Sequence, residues 1–329
     1  MAKVVRTDRE LELPGVDAAL RTAGHELVLL PDGVAEARLT EEASDAQLIL
    51  MCYTPITRRV IEGARRLKGI VKYGVGIDAI DIAAAQERGI PVVNVPEYAE
   101  ETVAEGAFAL MMALAKNLKK LEKAMSSEGW VWPERRWLAS DLADKTVGVV
   151  GLGRIGTSFA RMAMGFRMRV LSYDPYVAKA THRDLRAMLA ECDFVSIHCV
   201  LNAETRHLIG EPELRAMKPT AYLINVSRGA IVDELALLKT LQAGGLAGAG
   251  LDVYSQEPLA KHGHPLAVLY ELHNVILSPH LTFYTREAMA RLEADTLERC
   301  REVLEGRPVT VRSRDPRLRS QSRGVRFVD

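Results

Sequence analysis

The stretch Val147-Gly148-Val149-Val150-Gly151-Leu152-Gly153-Arg154-Ile155-Gly156 decides how this chain folds. An apolar run ends in three spaced glycines, and an amphipathic segment follows over residues 157–166. That is the opening of a dinucleotide-binding βαβ unit. Gly151 lets the chain turn tightly out of the strand, Gly153 leaves bare backbone for a phosphate, and Gly156 lets helix and strand pack closely. The helix then aims unpaired N–H groups and its positive dipole end at a pyrophosphate. Glycines alone also mark ordinary turns, so the context has to agree. A second β-prone run at 168–173 ends in Asp174, 18 residues after Gly156. This is close to the spacing of roughly 20 residues expected of an acid that binds a ribose 2′-hydroxyl. A carboxylate there repels a 2′-phosphate, and Pro175-Tyr176-Val177 supplies no arginine to accommodate one, so the pattern selects NAD over NADP.

Working outward, 329 residues suffice for two domains. Lys+Arg and Asp+Glu both number 43. A net charge of zero argues against nucleic acid and anionic membranes as partners. No apolar run approaches the roughly 18 residues of a membrane span, and the N-terminus carries no apolar signal segment. Cys52, Cys192, Cys199 and Cys300 are scattered, without metal-ligand spacing, and read as reduced thiols. The expectation is a cytoplasmic protein with no metal.

The first hundred residues alternate strands (3–6, 26–30, 46–51, 69–73, 91–95) with helical periodicity at 16–22, 57–66 and 81–87. Such alternation implies a parallel sheet covered on both faces. One strand ends in Tyr73-Gly74-Val75-Gly76-Ile77-Asp78. Its glycines suit either backbone capture of a small carboxylate or a tight turn into the next helix, and spacing alone leaves both open. Residues 100–125 predict one long helix, apolar nearly all round at 108–114 and so buried on more than one side. All three tryptophans (Trp130, Trp132, Trp137) follow, among Arg135 and Arg136. Trp and Arg are enriched at interface hot spots, which points to a homodimer contact. The second unit, 144–283, carries six predicted strands (146–150, 168–173, 194–199, 221–226, 246–253, 274–277), the full doubly wound complement. The arginine-rich tail from Val309 onward reads as a solvated or frayed terminus.

Three later strand ends supply polar groups where an α/β sheet presents its ligand site. These are Asn225-Val226-Ser227-Arg228-Gly229, Leu251-Asp252-Val253-Tyr254-Ser255-Gln256-Glu257-Pro258, and Leu277-Ser278-Pro279-His280. Singly, Arg228 reads as a surface ion pair, Glu257 as a loop acid and His280 as a buried core histidine. Together they place arginine, carboxylate and histidine at one sheet edge.

With these motifs in order, the chain resembles the D-isomer-specific 2-hydroxyacid dehydrogenase family from about residue 46 to residue 308. The resemblance is carried by 73–81, Thr102-Val103-Ala104-Glu105, the glycine loop, 225–233, 251–258 and 278–285. It implies an α/β protein of two doubly wound parallel-sheet domains. A Rossmann NAD-binding domain (101–284) is inserted into a flavodoxin-like substrate-binding domain (1–100 plus 285–329), and the two close over a cleft. It further implies catalytic Arg228, Glu257 and His280. Cofactor contacts follow from Gly151, Gly153, Arg154, Ile155, Gly156, Asp174, Val103, Cys199, Val226 and Asp252, the last at the nicotinamide carboxamide. The substrate would meet Tyr73, Val75, Gly76, Arg228 and His280, with the backbone at Val75 and Gly76 holding its carboxylate. Cys52, Tyr53, Tyr73 and Phe283 are expected to shape the pocket. Two departures stand out: Val200 where proline is usual, and Thr282 where glycine or alanine is common.

The implied reaction interconverts a small 2-oxo acid and the D-2-hydroxy acid, of the glyoxylate/hydroxypyruvate or D-lactate type. The alternatives are an NADH-binding corepressor-like protein, or a dehydrogenase of another small anion such as phosphite.

Overall fold

Short runs of Val, Ile and Leu between polar turns become strands, and the first five lie side by side. The chain starts β1 (Lys3–Arg6), α1 (Pro14–Thr22), β2 (Glu26–Leu29), α2 (Glu36–Ala43), β3 (Leu48–Met51), α3 (Arg58–Gly63), β4 (Gly69–Lys72), α4 (Ile82–Glu87), β5 (Val92–Asn94). All pair in parallel in the order β2-β1-β3-β4-β5, the flavodoxin-like arrangement. Thr57 and Asp81 cap α3 and α4 by accepting from Val60 N and Ala84 N. Helix α2 was not anticipated: it buries only Leu39 and Ala43, too few apolar positions to give a periodic signal.

The second unit follows with α5 (Glu100–Ala115), α6 (Leu118–Glu128), β6 (Thr146–Val150), α7 (Arg154–Gly165), β7 (Arg169–Tyr173), α8 (Leu185–Glu191), β8 (Phe194–Ile197), α9 (Glu211–Ala216), β9 (Tyr222–Asn225), α10 (Glu234–Gln242), β10 (Gly248–Leu251) and β11 (Val275–Leu277). The strands pair in parallel in the order β11-β10-β9-β8-β6-β7, with one apolar core on each face. Register sets up the site. Val150 lies opposite Tyr173 and Ile197, Ile197 opposite Asn225, Asn225 opposite Leu251, and Leu251 opposite Leu277. The carboxyl ends are therefore flush, so residues just beyond each strand share one edge.

The predicted single helix over 100–125 is two. It breaks before α6 at Asn117, whose φ of 53° is left-handed and whose side-chain amide donates to Trp137 O and Leu138 O. Asparagine tolerates this conformation better than most residues, and its local hydrogen bonds compete with helix continuation.

The chain ends with α11 (Arg286–Leu304), β12 (Val309–Val311), α12 (Pro316–Arg319) and β13 (Val325–Phe327). Helix α11 packs on β3, β4 and α1. The tail is not frayed, contrary to its composition. Val311 and Leu318 are fully buried, β12 pairs with β13, and the Gln321 amide bonds both Val92 N (2.7 Å) and Val92 O (2.8 Å) along the edge of β5. The computed structural model describes residues 1–328 and divides into Met1–Ala99 with the segment from Thr285, and Glu100–Tyr284. No helix among the described residues is long and apolar enough to cross a membrane.

Candidate active site

The glycine loop leaves β6 as its spacing requires. Gly151 has φ 97°, and a Cβ on it would lie 2.5 Å from Cys199 N. A Cβ on Gly156 would sit 2.0 Å from Gly151 O, so this glycine is what closes helix onto strand. Around Gly153 no protein atom lies within 4 Å of the corresponding position, leaving an open approach to its backbone. Helix α7 begins there with no side chain capping its N-terminus. Asp174 braces the same loop: Oδ2 accepts from Leu152 N (2.9 Å) and Oδ1 from Tyr176 N (2.9 Å). An open glycine at an uncapped helix start, with a carboxylate at the neighbouring strand end, fits the pyrophosphate and adenosine ribose of NAD.

Among the other residues expected at the cofactor, Arg154 pairs with Glu100 at 3.2 Å. The Cys199 carbonyl accepts from the Ser227 hydroxyl, and burial pushes its thiol up to about 12. Ile155 and Val103 are half-buried and pack against the core beneath the loop, where Val226 is buried. His198, which the sequence did not single out, lies directly under the glycines. It shares a hydrogen bond with Ser196 (2.8 Å), its ring lies tilted against Phe159, and burial lowers its pKa to about 3. It is a neutral packing group there.

Farther along the same edge, β10 and β11 bring Glu257 and His280 together. Glu257 Oε2 is 2.7 Å from His280 Nδ1, while Oε1 accepts from Tyr254 N at 2.9 Å. Burial pushes the Glu257 carboxyl up, but the bonds from His280 and Tyr254 N and the nearby Arg228 charge outweigh it and hold it below its ordinary value. His280 sits at φ 58°, a strained region for a residue with a Cβ. Asp252 holds it there. The Asp252 carbonyl accepts from His280 N (2.8 Å), and its fully buried carboxylate accepts from Leu281 N (3.0 Å), Thr282 N (3.2 Å) and the Thr282 hydroxyl (2.6 Å). Thr282, read as a departure near the pocket, is a structural partner of Asp252. It also packs against α5 so tightly that a Cβ on Gly106 would lie 2.6 Å from its own.

Arg228 follows β9. Its loop is pinned by Asn225, which donates to Arg228 O (2.9 Å) and accepts from Ser227 N (3.1 Å). Gly229 lets this loop approach the Glu257 loop, since a Cβ there would lie 2.0 Å from the Tyr254 carbonyl carbon. The Tyr254 hydroxyl in turn donates to Leu251 O and Ser278 O, both at 3.1 Å, tying the ends of β10 and β11. Asn225 and Tyr254 are supports that sequence inspection missed, and Asp252, expected at the nicotinamide, braces the turn at His280 as well. Each acts through a three-dimensional neighbour rather than a motif.

In the first unit, Val75 is exposed and its carbonyl accepts from Asn94 Nδ2 at 2.6 Å, which fixes the Val75–Gly76 turn. The expectation that Tyr73 meets substrate is corrected. Its side chain is fully buried, with the hydroxyl donating to Thr7 O (2.5 Å) and Asp8 O (3.2 Å), so it braces the sheet. Cys52 is likewise buried, contacting Lys72 Nζ at 3.0 Å. Tyr53 remains exposed, beside Lys72, while Phe283 is buried with its ring edge-on to His280. Asp8, overlooked in the sequence, accepts from Cys52 N, Tyr53 N, Thr54 N and the Thr54 and Thr7 hydroxyls, and so shapes the loop after β3.

A nucleotide-binding sheet edge carrying a paired histidine and carboxylate beside an arginine defines a dehydrogenase. Residues 108–282 match the family model of the D-isomer specific 2-hydroxyacid dehydrogenase NAD binding domain. The chain is 41% identical over 272 residues to the glyoxylate reductase of Korarchaeum cryptofilum, covering 79% of this chain and 81% of that one. To the D-3-phosphoglycerate dehydrogenase of Synechocystis it is 37% identical over 94% of this chain, but spans only about half (55%) of that relative. The solved D-lactate dehydrogenase of Aquifex aeolicus, complexed with NAD and lactic acid, superposes with a TM-score of 0.83 at 31% identity, covering 92% of this chain and 96% of the other. The chain belongs to the D-isomer-specific 2-hydroxyacid dehydrogenase family. It is an NAD-dependent oxidoreductase interconverting 2-oxo acids and 2-hydroxy acids.

Proposed function

We propose that this enzyme reduces a small 2-oxo acid of the glyoxylate/hydroxypyruvate type to its D-2-hydroxy acid. The 2.7 Å His280–Glu257 pair carries the chemical part of this reading. The glyoxylate reductase relatives at 40–41% identity support the small substrate. NADH, when bound, supplies the hydride from its nicotinamide C4. Arg228 forks onto the carboxylate and the 2-oxo oxygen, orienting C2 and offsetting the charge that develops on oxygen. Backbone N–H groups of Val75 and Gly76 hold the substrate carboxylate. His280, with Nδ1 engaged by Glu257, donates a proton from Nε2 to that oxygen in reduction and accepts it in oxidation, a step worth about 10²–10⁴-fold. Glu257 fixes the tautomer and stabilises the imidazolium. On the cofactor side, Gly153, Arg154 and Ile155 present backbone to the pyrophosphate and Asp174 takes the ribose. Val103, Cys199, Val226 and Asp252 line the nicotinamide end.

The same proposal includes a homodimer formed through α5, α6 and the tryptophan loop, supported by Trp130 and Trp132 at 73% and 72% exposure. A cytoplasmic setting fits four free cysteines. The test is NADH and NADPH oxidation over 2-oxo acids graded by side-chain size, with Arg228→Lys as control. Fast NADH turnover on the smallest acids, lost in the variant, is expected. Tight NADH binding without turnover on any of them would refute it and favour a regulatory, cofactor-sensing protein.

A further inference from the structure

Two side chains outside the catalytic set, Tyr176 and Glu204, meet across the dinucleotide crevice of the second unit. The strand order β8-β6-β7 puts the glycine loop, which leaves β6, between the loops that follow β7 and β8. The chain runs from β6 outward to β7 and then returns to the other side of β6 as β8. Such a reversal of winding opens the ligand crevice of a doubly wound sheet. Strands β7 and β8 stand two strand spacings apart, roughly 10 Å. Tyr176, in the loop after β7, donates its hydroxyl to Glu204 Oε2, in the loop after β8. The bond therefore joins the two sides of the crevice past the end of β6.

Both ends of this bridge are fixed through the backbone. Asp174 Oδ1 accepts from Tyr176 N at 2.9 Å. Asn202 Oδ1 accepts from Glu204 N and Thr205 N, both at 2.9 Å, and the Thr205 hydroxyl donates to Val200 O at 2.6 Å. The Tyr176 side chain has no core to fill, since the residue is 76% exposed, so its bond to Glu204 is what holds the ring. The negative charge here is uncompensated. Neither Asp174 nor Glu204 is paired with a cation among the described residues. The guanidinium of Arg183, on the same loop as Tyr176, donates instead to the carbonyls of Asp174 (3.5 Å) and Ala178 (3.2 Å). Both carboxylates are felt at one place. The hydrogen bond to Glu204 and its charge, and then more weakly the charge of Asp174, raise the Tyr176 hydroxyl above the ordinary tyrosine pKa.

We propose that Glu204, steadied by Tyr176, is a coenzyme-selecting residue that acts with Asp174 against a 2′-phosphate. A second carboxylate facing the ribose adds to the repulsion that a phosphomonoester meets, whereas the uncharged 2′-hydroxyl of NADH meets none. The assignment rests on Asp174 taking the adenosine ribose, and it does not depend on the identity of the 2-oxo acid.

The experiment is fluorescence titration of the full-length enzyme with NADH and with NADPH, and the readout is the ratio of the NADPH Kd to the NADH Kd. It is run on the wild type, Glu204→Gln, Tyr176→Phe and Asp174→Asn. Glutamine keeps an oxygen that accepts from Tyr176 and removes only the charge. In Glu204→Gln the ratio should fall at least about threefold, as expected of one exposed charge lost at close range, through tighter NADPH binding. Tyr176→Phe leaves the charge but frees it, and should lower the ratio by a smaller factor. Added salt should narrow the gap between wild type and Glu204→Gln. A fall of less than about threefold in Glu204→Gln, or one that comes from weaker NADH binding alone, overturns the proposal. A ratio unmoved in Tyr176→Phe overturns the steadying role. Asp174→Asn tells the two possible failures apart. If it lowers the ratio where Glu204→Gln does not, Asp174 selects alone; if neither lowers it, the ribose is not at Asp174.

Discussion

Replacing Glu257 with glutamine removes the carboxylate charge paired with the His280 ring while keeping the size of the side chain. Nδ1 and Oε2 are 2.7 Å apart, and the two side chains are 24% and 31% exposed. With charge centres near 4 Å, the Coulomb energy runs from about 1 kcal/mol in water to about 4 kcal/mol at an effective dielectric of 20. A tenfold change in rate corresponds to about 1.4 kcal/mol, and the partial exposure favours the lower bound, so loss of the carboxylate should slow the proton-transfer step by about tenfold. Glu257 itself, held below its ordinary value, stays ionised throughout a neutral assay and offers its charge to the ring. In Glu257→Gln, kcat for 2-oxo acid reduction should therefore fall by about tenfold while NADH affinity is kept. The loss should be smaller than in His280→Ala, which loses the acid itself. Steady-state kinetics with a parallel NADH titration decide the matter. If kcat does not fall, or falls only with NADH affinity, Glu257 does not act through the charge of His280.

Gly156→Ala forces a Cβ to within 2.0 Å of Gly151 O, so NADH affinity measured by fluorescence titration should fall at least tenfold while far-ultraviolet circular dichroism is retained. Gln321→Ala leaves the buried edge at Val92 without its donor and acceptor. Stability by denaturant titration should drop by about 1–3 kcal/mol, with faster hydrogen exchange at Val92 N. Asp8 is pushed up by burial, but its five donors win and lower its pKa. Its stabilisation is therefore complete above the ordinary aspartate value of about 3.9 and lost as pH falls through its folded value. Asp8→Asn should destabilise the protein at neutral pH and flatten the acid end of its stability curve, as thermal melts across pH would reveal.

Much of the site was legible because its parts occupy strand ends. Gly151, Gly153 and Gly156 follow one apolar run, Asp174 the next, and Arg228, Glu257 and His280 the last three. In a parallel sheet such positions converge whatever the loops do. The supports were not legible. Nothing in the pattern said that Asp252, expected at the nicotinamide, also holds the strained turn at His280 with its carboxylate. Thr282 stood out only as a departure from the family pattern, yet it bonds Asp252 and fills the space left by Gly106.

By itself, then, the sequence determined the alternation of strands and helices, the glycine loop and the candidate catalytic side chains. Those depend on backbone propensity, hydrophobic period and glycine sterics within a few residues. Only the tertiary structure decided which way Tyr73 points, where the helix breaks at Asn117, that Glu257 and His280 meet at 2.7 Å, and that the arginine-rich tail is anchored through Gln321. Each of these rests on contacts between residues distant in sequence or on packing against a core, and a local pattern of residues carries no record of which distant partner fills that place.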